Sequence, residues 1–479
     1  MEPLTWTGQM GDVLDPILGI SAIALLVTTV LAIAASLVAP APRVVINPDG
    51  SAAIADGFPG LVARAQKYAL FALVGTVLAY IVTGMVVSHG GGGIIGGMSR
   101  AFTPVWLSLV ALFAVSIATK RKTGLYGKLF DSTIGMIGFG LVMFWVFAAI
   151  WAGVFDLIYT HDPLSQVSGM KNEPPGSPLT QEDGYPFYLL GGDTLARDVF
   201  SRMVSGSTIV IVIAPFATLF AFMVGITLGL PAGYYGGKLD TVLSFLANLI
   251  LAFPVILLFY LLVTPEIVQT GLPAYMGMVL FLAPLVFAGV LIWSRYRTQP
   301  SRAWTLLAIV LIPMALVYLS VISARGTAID FWPLDLFDIP GGILVVFVSV
   351  VFVNSPTVFR IVRGLTLDIK TRDYVAAAQT RGETPWYIML WEILPNARGP
   401  LIVDFCLRIG YTTILLGTLG FFGLGLPPES PDWGSTINDG RKLLSIYPHP
   451  AIAPALALLS LVLGLNLLAD GLREESLRD

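Results

Sequence analysis

Eleven separate stretches of about 18–24 apolar residues dominate this chain, and each is long enough to cross the roughly 30 Å of hydrocarbon in a bilayer. They cover residues 17–39, 69–88, 102–119, 133–156, 207–230, 243–264, 274–293, 303–323, 341–360, 402–422 and 450–468. An open strand in lipid leaves backbone groups without partners, so every stretch is read as helix. Charge agrees: 12% of the 479 residues are charged, against about 25% in soluble domains. The mean hydropathy is +0.82. The expected fold class is therefore an all-α polytopic membrane protein.

Several function classes fall away on composition. The net charge is −3 and no basic face is present, which argues against a nucleic-acid partner. Cys406 is the single cysteine, so no disulfide framework exists, and it reads as a small buried hydrophobe. Three scattered histidines and that cysteine make no metal site. No Lys or Arg precedes Arg43, so the basic start of a signal peptide is missing and 17–39 is expected to stay as a span.

Basic residues sit in alternate loops. Arg43, Arg64 and Lys67 follow the first span, Lys120–Lys122 and Lys128 the third. Arg295, Arg297 and Arg302 join the seventh and eighth, and Arg360, Arg363, Lys370 and Arg372 follow the ninth. The opposite loops are acidic or neutral: Met1–Asp15, the glycine run after His89, Leu157–Phe200 and Asp330–Asp338. The positive-inside rule then places the N-terminus outside and the C-terminus in the cytoplasm. Gly90–Gly97 reads as a short glycine-rich turn.

One charged, helix-compatible stretch in the C-terminal half does not cross the membrane: Arg372–Pro400. Tyr374–Arg381 holds strong helix formers, and Gly382 can end that helix at positive φ. Thr384 can cap a second helix with Pro385 at its first position, and Leu394-Pro395-Asn396 is expected to stop it. The product is a stiff, small-faced hairpin suited to docking in a groove of a partner.

Ala376-Ala377-Ala378, Gly382 and Leu394-Pro395 resemble the E-A-A, three residues, G, nine residues, I-x-L-P loop of ABC importer permeases. In that family the loop inserts into the ATPase subunit. Ala376 stands where the family has Glu, and Glu392 where it often has Ile or His. The words DYVAAAQTRG and ILPN resemble the dipeptide/oligopeptide/nickel branch. Three further stretches carry the same resemblance. Gly191–Arg202, GGDTLARDVFSR, is similar to the family's G-T-D-x-x-G-R-D-x-x-S-R, keeping Asp193, Arg197, Asp198, Ser201 and Arg202. Its Asp cap and the spacing of Leu195, Val199 and Met203 are read as a short amphipathic helix on the outer face, the alternative being a solvated loop with a capped turn, which the residues alone favour. Gly229–Asp240, GLPAGYYGGKLD, resembles A-G-Y-Y-G-G-x-x-D and is expected to be a tight inner turn with Asp240 capping the sixth span. It is no phosphate loop, since Ala232 stands where a Gly is needed and Leu239 follows the Lys. Leu419–Trp433 matches the family's L-S-F-L-G-L-G followed by Pro-rich residues and Trp-Gly. There the paired prolines should stop the helix and Trp433 sit at the outer interface.

The resemblance implies a type I ABC importer permease core of six helices (the fourth, fifth, sixth, ninth, tenth and eleventh spans) with about five added. Residues 1–130 form an N-terminal extension and 266–338 a two-span insertion. The core then runs over 131–265, including an outer loop at 157–206, and 339–479, including the coupling loop 361–401. The resemblance further implies a non-catalytic subunit of the bacterial inner membrane that passes a dipeptide, longer peptide, nickel chelate or sugar-related solute. Its partners would be a second permease in a heterodimer, one or two ATPase subunits that hold ATP and Mg, an external substrate-binding protein, and membrane lipid. On that reading Tyr374, Ala376, Ala377, Ala378, Gly382, Glu392, Leu394 and Pro395 form the ATPase-coupling loop.

Polar residues inside spans leave alternatives open. Asp404 and Arg408 are four apart, on one face, and are expected to pair. They either line a path or orient the helix. Asn354 and Ser355, beside Pro356, either line a cavity or simply pack. A stand-alone ion-coupled transporter would need acids or histidines at span centres, which hold almost none. A membrane enzyme would need clustered His and Asp, whereas His89, His161 and His449 all fall in outer loops.

Overall fold

Helices account for nearly every element of the computed structural model, which describes residues 2–38, 44–46, 52–54, 58–122, 124–179, 185–322, 341–424, 426 and 429–476. Among these residues, ten helices are long and apolar enough to cross a membrane, and one further pair passes the same test only when its two bent halves are counted together. Each expected span except the sixth corresponds to one of these ten helices. The sixth is broken where it was read as continuous: its two halves, 237–251 and 255–263, meet at 83°. The cause lies in Pro254, which caps the second half and removes a donor at the junction. Asp330–Asp338, Pro427 and Pro428 lie outside the described residues.

The chain divides into two units. The first comprises Met1–Pro104 and Leu157–Phe200. It contains α1 (Gly11–Val38), a β-ribbon of β1 (Val44–Ile46) and β2 (Ala52–Ile54), α2 (Phe58–Val86) and α3 (His89–Ala101). The α1–α2 pair is tied by Gln66 Nε2 donating to Thr29 Oγ1 at 3.0 Å and by the Tyr80 hydroxyl donating to Asp15. The glycine run expected as a turn is instead helical, apart from Gly93 at φ 59°. The N-terminal segment crosses it there, with Ile94 and Ile95 amides donating to the Thr5 and Trp6 carbonyls at 3.0 Å. The 157–200 stretch folds around a short ladder, β3 (Ser177–Pro178) with β4 (Phe187–Tyr188).

The second unit comprises Val105–Asp156 and Ser201–Asp479. Its chain runs through α4 (Thr103–Thr119), α5 (Leu125–Lys128), α6 (Thr133–Gly153), α7 (Val199–Tyr235), α8 (Gly237–Leu251) and α9 (Val255–Val263). Next come α10 (Pro265–Gln269), α11 (Leu272–Leu280), α12 (Leu282–Tyr296), α13 (Pro300–Ile322) and α14 (Gly341–Ile369). The end of the chain holds α15 (Asp373–Thr380), α16 (Pro385–Tyr387), α17 (Leu394–Asn396), α18 (Arg398–Phe421), α19 (Trp433–Arg441) and α20 (His449–Ser476).

The most enclosed span, α14, forms the centre. Against it α7 lays a row of glycines, Gly225, Gly229 and Gly233, four residues apart. An added Cβ at each would come within 3.0 Å of Val358, of Val362 and the Phe359 carbonyl, or of Thr366. Small residues at this spacing let backbones approach where lipid gives helices no hydrophobic reason to associate. A similar close seam joins α6 to α20, where a Cβ on Gly138 would lie 2.3 Å from the Leu468 nitrogen.

Two helix boundaries differ from expectation. Pro231 sits inside α7, which runs on to Tyr235, and the turn before α8 narrows to Gly236 at φ 67°. Asp240 therefore falls within the first turn of α8 rather than at its cap. At the other end of the bundle, α18 stops at Phe421, ahead of the prolines, where Gly423 adopts φ 70° and the Leu424 amide donates to the Leu419 carbonyl. A left-handed glycine satisfies the last carbonyls without any proline.

Candidate functional site

The expected helix–glycine–helix hairpin is present, with its inner side built into the bundle. Its first helix, α15, ends where Gly382 takes φ 77°, a left-handed conformation that glycine adopts without strain. Thr384 caps the second helix, accepting from the Tyr387 amide at 3.4 Å, and Pro385 begins it. That helix ends at Asn396, within the expected Leu394-Pro395-Asn396 stop. The chain widens into a π-helical stretch, Ile388–Ile393, and passes through α17 into α18 with the Ala397 amide bonded back to Ile393 and Leu394. A π-turn there makes room for the proline ring against the preceding turn.

Val375, Ala378, Ile388, Met389, Leu390 and Ile393 are buried in a cluster with Val358, Val362 and Ile369 of α14 and Leu230 of α7. Tyr374, Ala376, Ala377, Gly382 and Pro395 are exposed. Glu392 and Leu394 are half-buried, and Ala378, at 0% exposure, lies on the inner rather than the docking face. Arg381 bridges the two limbs, reaching Glu392 at 3.0 Å and Glu383 at 4.0 Å. Ala376, Ala377 and Gly382 are bare positions among exposed Tyr374, Gln379 and Arg381, on a backbone that is fixed from behind.

Several contacts connect this hairpin to the membrane helices. Gln379 Nε2 donates to the Tyr234 hydroxyl at 3.3 Å, and Lys370 Nζ donates to the Gly233 carbonyl at 2.7 Å. Arg363 donates to both Asp240 oxygens, the second at 2.6 Å, so the missing cap is replaced by an interhelical ion pair. Trp391 Nε1 donates to Ser294 Oγ of α12 at 3.1 Å, and the Arg295 guanidinium lies 5.0 Å above the Trp391 ring. One end of the bundle thus gathers the turns 233–240, 294–302 and 363–396.

The Gly191–Arg202 motif is not a surface helix. Gly192 and Asp198 form an isolated β-bridge, Ala196 sits at φ 63°, and helix begins only at Val199. The Asp193 carboxylate accepts from the Leu195 and Arg197 amides at 2.8 and 2.9 Å and from Arg197 Nε at 2.7 Å. A closed turn in which one carboxylate serves three donors outcompetes a helix there. Within this first unit Asp198 also accepts from the Phe200 amide at 3.1 Å, at the start of α7, and from the Thr160 hydroxyl at 2.6 Å. His161, which the sequence did not single out, places Nδ1 3.2 Å from Asp198 and Nε2 2.8 Å from the Tyr185 carbonyl. Burial, aided by the nearby Asp198 charge, pushes the Tyr188 hydroxyl well above its ordinary range.

In the second unit Ser201 and Arg202 are likewise fully buried. Arg202 donates to the Ser430 carbonyl at 3.1 Å and to Thr436 Oγ1 at 3.3 Å. Trp433, expected at the interface, is buried instead: its Nε1 donates to the Met203 carbonyl at 2.7 Å, and its ring fits against Gly206 and edge-on to Trp145. Asp432 caps α19 through the Ser435 amide at 2.9 Å.

Asp404 and Arg408 form the expected i,i+4 pair, bidentate at 3.0 and 3.1 Å. Asn354 Nδ2 donates to the Val350 carbonyl at 3.1 Å and to Thr412 Oγ1 at 3.3 Å, and Ser355 bonds back to Val351. Thr218 of α7 meets the same Thr412 hydroxyl at 3.3 Å, so α7, α14 and α18 share a buried polar cluster. Among the described residues no group of three or more His, Cys, Asp or Glu comes together as a metal set.

The family described as binding-protein-dependent transport system inner membrane component matches residues 297–474. That range covers the hairpin, α18, α19 and most of α20, and it starts inside the two-span segment set apart as an insertion. Among individual relatives, the glutathione transport system permease protein GsiD of Pectobacterium atrosepticum is 31% identical over 60% of this chain and 71% of its own length. The dipeptide transport system permease protein DppC of Haemophilus influenzae is 29% identical over 62% and 76%. DppC of Alkalihalophilus pseudofirmus is 27% identical over 67% and 81%. All three are permeases of transport systems rather than transporters that stand alone. The chain belongs to the inner-membrane permeases of binding-protein-dependent ABC importers and is a multi-pass transmembrane subunit of that kind, working with ATPase and substrate-binding partners.

Proposed function

We propose that this permease passes a peptide or a related small solute, and that the exposed face of residues 374–395 docks into the ATPase. The glutathione and dipeptide systems named among the relatives support that solute class. The observation that carries the docking reading is the division of the hairpin into two faces. Ala376, Ala377 and Gly382 are bare positions on the outer side, while Val375, Ala378 and Ile388–Leu390 are anchored in the helix core. Motion of a docked ATPase then reaches α14 and α7 through rigid packing and through Lys370 and Arg363.

In this reading ATP and Mg are held by one or two ATPase subunits, the chain carries out no covalent step, and a second, different permease completes the path. The hairpin end of the bundle is cytoplasmic, with the C-terminus on that side and the N-terminus outside. The loop basicity and the gathering of 233–240, 294–302 and 363–396 at one end support that sidedness. Asn354 serves the path by tying α14 to α18 through Thr412, whereas Ser355 and the Asp404–Arg408 pair are satisfied within their own helices.

Gly382→Glu tests the docking. A Cβ there meets nothing within 4 Å, so the substitution brings only backbone strain, of order 1–3 kcal/mol. The variant is expected to reach the membrane and to lose ATP-driven uptake. Normal uptake by a membrane-inserted Gly382→Glu protein would sink the assignment.

A further inference from the structure

The helix pair α12–α13 ends in three arginines, Arg295, Arg297 and Arg302, and among the described residues none has a carboxylate partner. Arg295 lies over Trp391 and Arg302 lies 5.0 Å over the Tyr296 ring. Arg297 is exposed beside a cavity of about 760 Å³. Its walls include Trp293, Ser294 and Trp304 from the helix pair and Thr384 and Trp386 from the coupling hairpin. Indole rings at the ends of spans favour the headgroup level of a bilayer, and basic pockets between spans attract anionic headgroups.

A second cavity, of about 640 Å³, lies along the same two helices and is walled by Phe216, Leu285, Pro313 and Met314, among others. Leu285 in this cavity and Gly289 in the first are neighbours one turn apart on α12. Among the described residues that line the second cavity the one hydroxyl, on Tyr318, is spent on the Met278 carbonyl at 2.8 Å. An apolar space with no polar partner to offer stays dry, and hydrocarbon is what surrounds these helices.

We propose that one anionic phospholipid binds along this helix pair, with its phosphate at Arg297 and an acyl chain in the apolar cavity, and that its headgroup braces the coupling hairpin at Thr384 and Trp386. Only the bracing half rests on the coupling reading above. Arginines with no carboxylate partner among the described residues, a tryptophan-walled cavity and a second, apolar cavity on the same helix pair fit this amphipath.

Native mass spectrometry of the full chain with its co-purified subunits, after delipidation, tests the site. Dioleoyl phosphatidylglycerol is expected to be retained in preference to dioleoyl phosphatidylcholine, and inorganic phosphate should not displace it. Arg297→Gln should weaken phosphatidylglycerol retention about five-fold, the factor corresponding to about 1 kcal/mol per basic residue at a membrane surface. Arg297→Lys should restore it. Equal retention of the two lipids, displacement by phosphate, or an unchanged Arg297→Gln protein would overturn the site. In nanodiscs, phosphatidylglycerol should raise the ATPase rate of the wild-type complex and not that of Arg297→Gln. Selective binding without that response overturns the bracing alone. A failure of the coupling reading shows separately, as uptake by Gly382→Glu.

Discussion

Burial pushes the Asp432 carboxyl above the ordinary carboxylate range, against the opposing pull of its Ser435 hydrogen bonds and of Arg202. The folded protein therefore holds this proton more tightly than the unfolded chain does. The resulting stabilisation is full below the unfolded value, about 3.9, and is lost as pH rises through the higher folded value. Asp432→Asn keeps an acceptor for the Ser435 amide and removes the titration. Thermal unfolding in detergent should show a drop in wild-type Tm across that window that is smaller in Asp432→Asn, and superimposable profiles would contradict this.

Arg408 is 7% exposed, so removing its partner strands a charge. Asp404→Asn is expected to cost about 3–5 kcal/mol, whereas Asp404→Leu combined with Arg408→Met should cost less than the single change. A double variant less stable than Asp404→Asn would count against a structural pair. This pair was legible because four-residue spacing on a span has one meaning. The same spacing at Asp193 and Arg197 misled: their contact is made across a tight turn with Ala196 left-handed, and nothing in side-chain pattern separates that turn from a helix.

At the scale of elements, the Gly225–Gly229–Gly233 row sets how closely α7 approaches α14. Gly229→Val places a Cβ 3.0 Å from the Phe359 carbonyl and should cost about 1–3 kcal/mol through overpacking. Gly364, on α14 but facing open space, gives the contrast. Gly364→Ala should raise stability by up to about 1 kcal/mol, since Ala is the better helix former. Equal effects of the two on Tm would remove the close-approach account. Existence of the spans was readable from hydropathy alone, because lipid leaves helix as the economical way to satisfy the backbone. Their interruptions were less readable. The bend at Pro254 and the π-turn before Pro395 depend on how neighbours reclaim freed carbonyls, as does the continuous helix through Pro231, and a proline alone does not reveal which outcome follows.

For the whole molecule, the coupling hairpin was the most legible feature, since its glycine, its Thr-Pro start and its alanines each have a local physical role. Which of those alanines face inward was not legible in advance: Ala376 and Ala377 are outward and Ala378 inward only because α15 lies on α14 and the π-turn. The grouping of 157–200 with 1–104 was also beyond a reading in chain order. Cys406, the chain's one cysteine, is buried, so a cysteine introduced on the hairpin provides the one accessible thiol of this chain. The most direct measurement is maleimide cross-linking of Tyr374→Cys, Ala377→Cys and Ala378→Cys proteins in membranes holding the ATPase subunit. The account predicts adducts between permease and ATPase from positions 374 and 377 and none from the inward 378. Adducts absent at 374 and 377, or equal at all three, would contradict docking through this face.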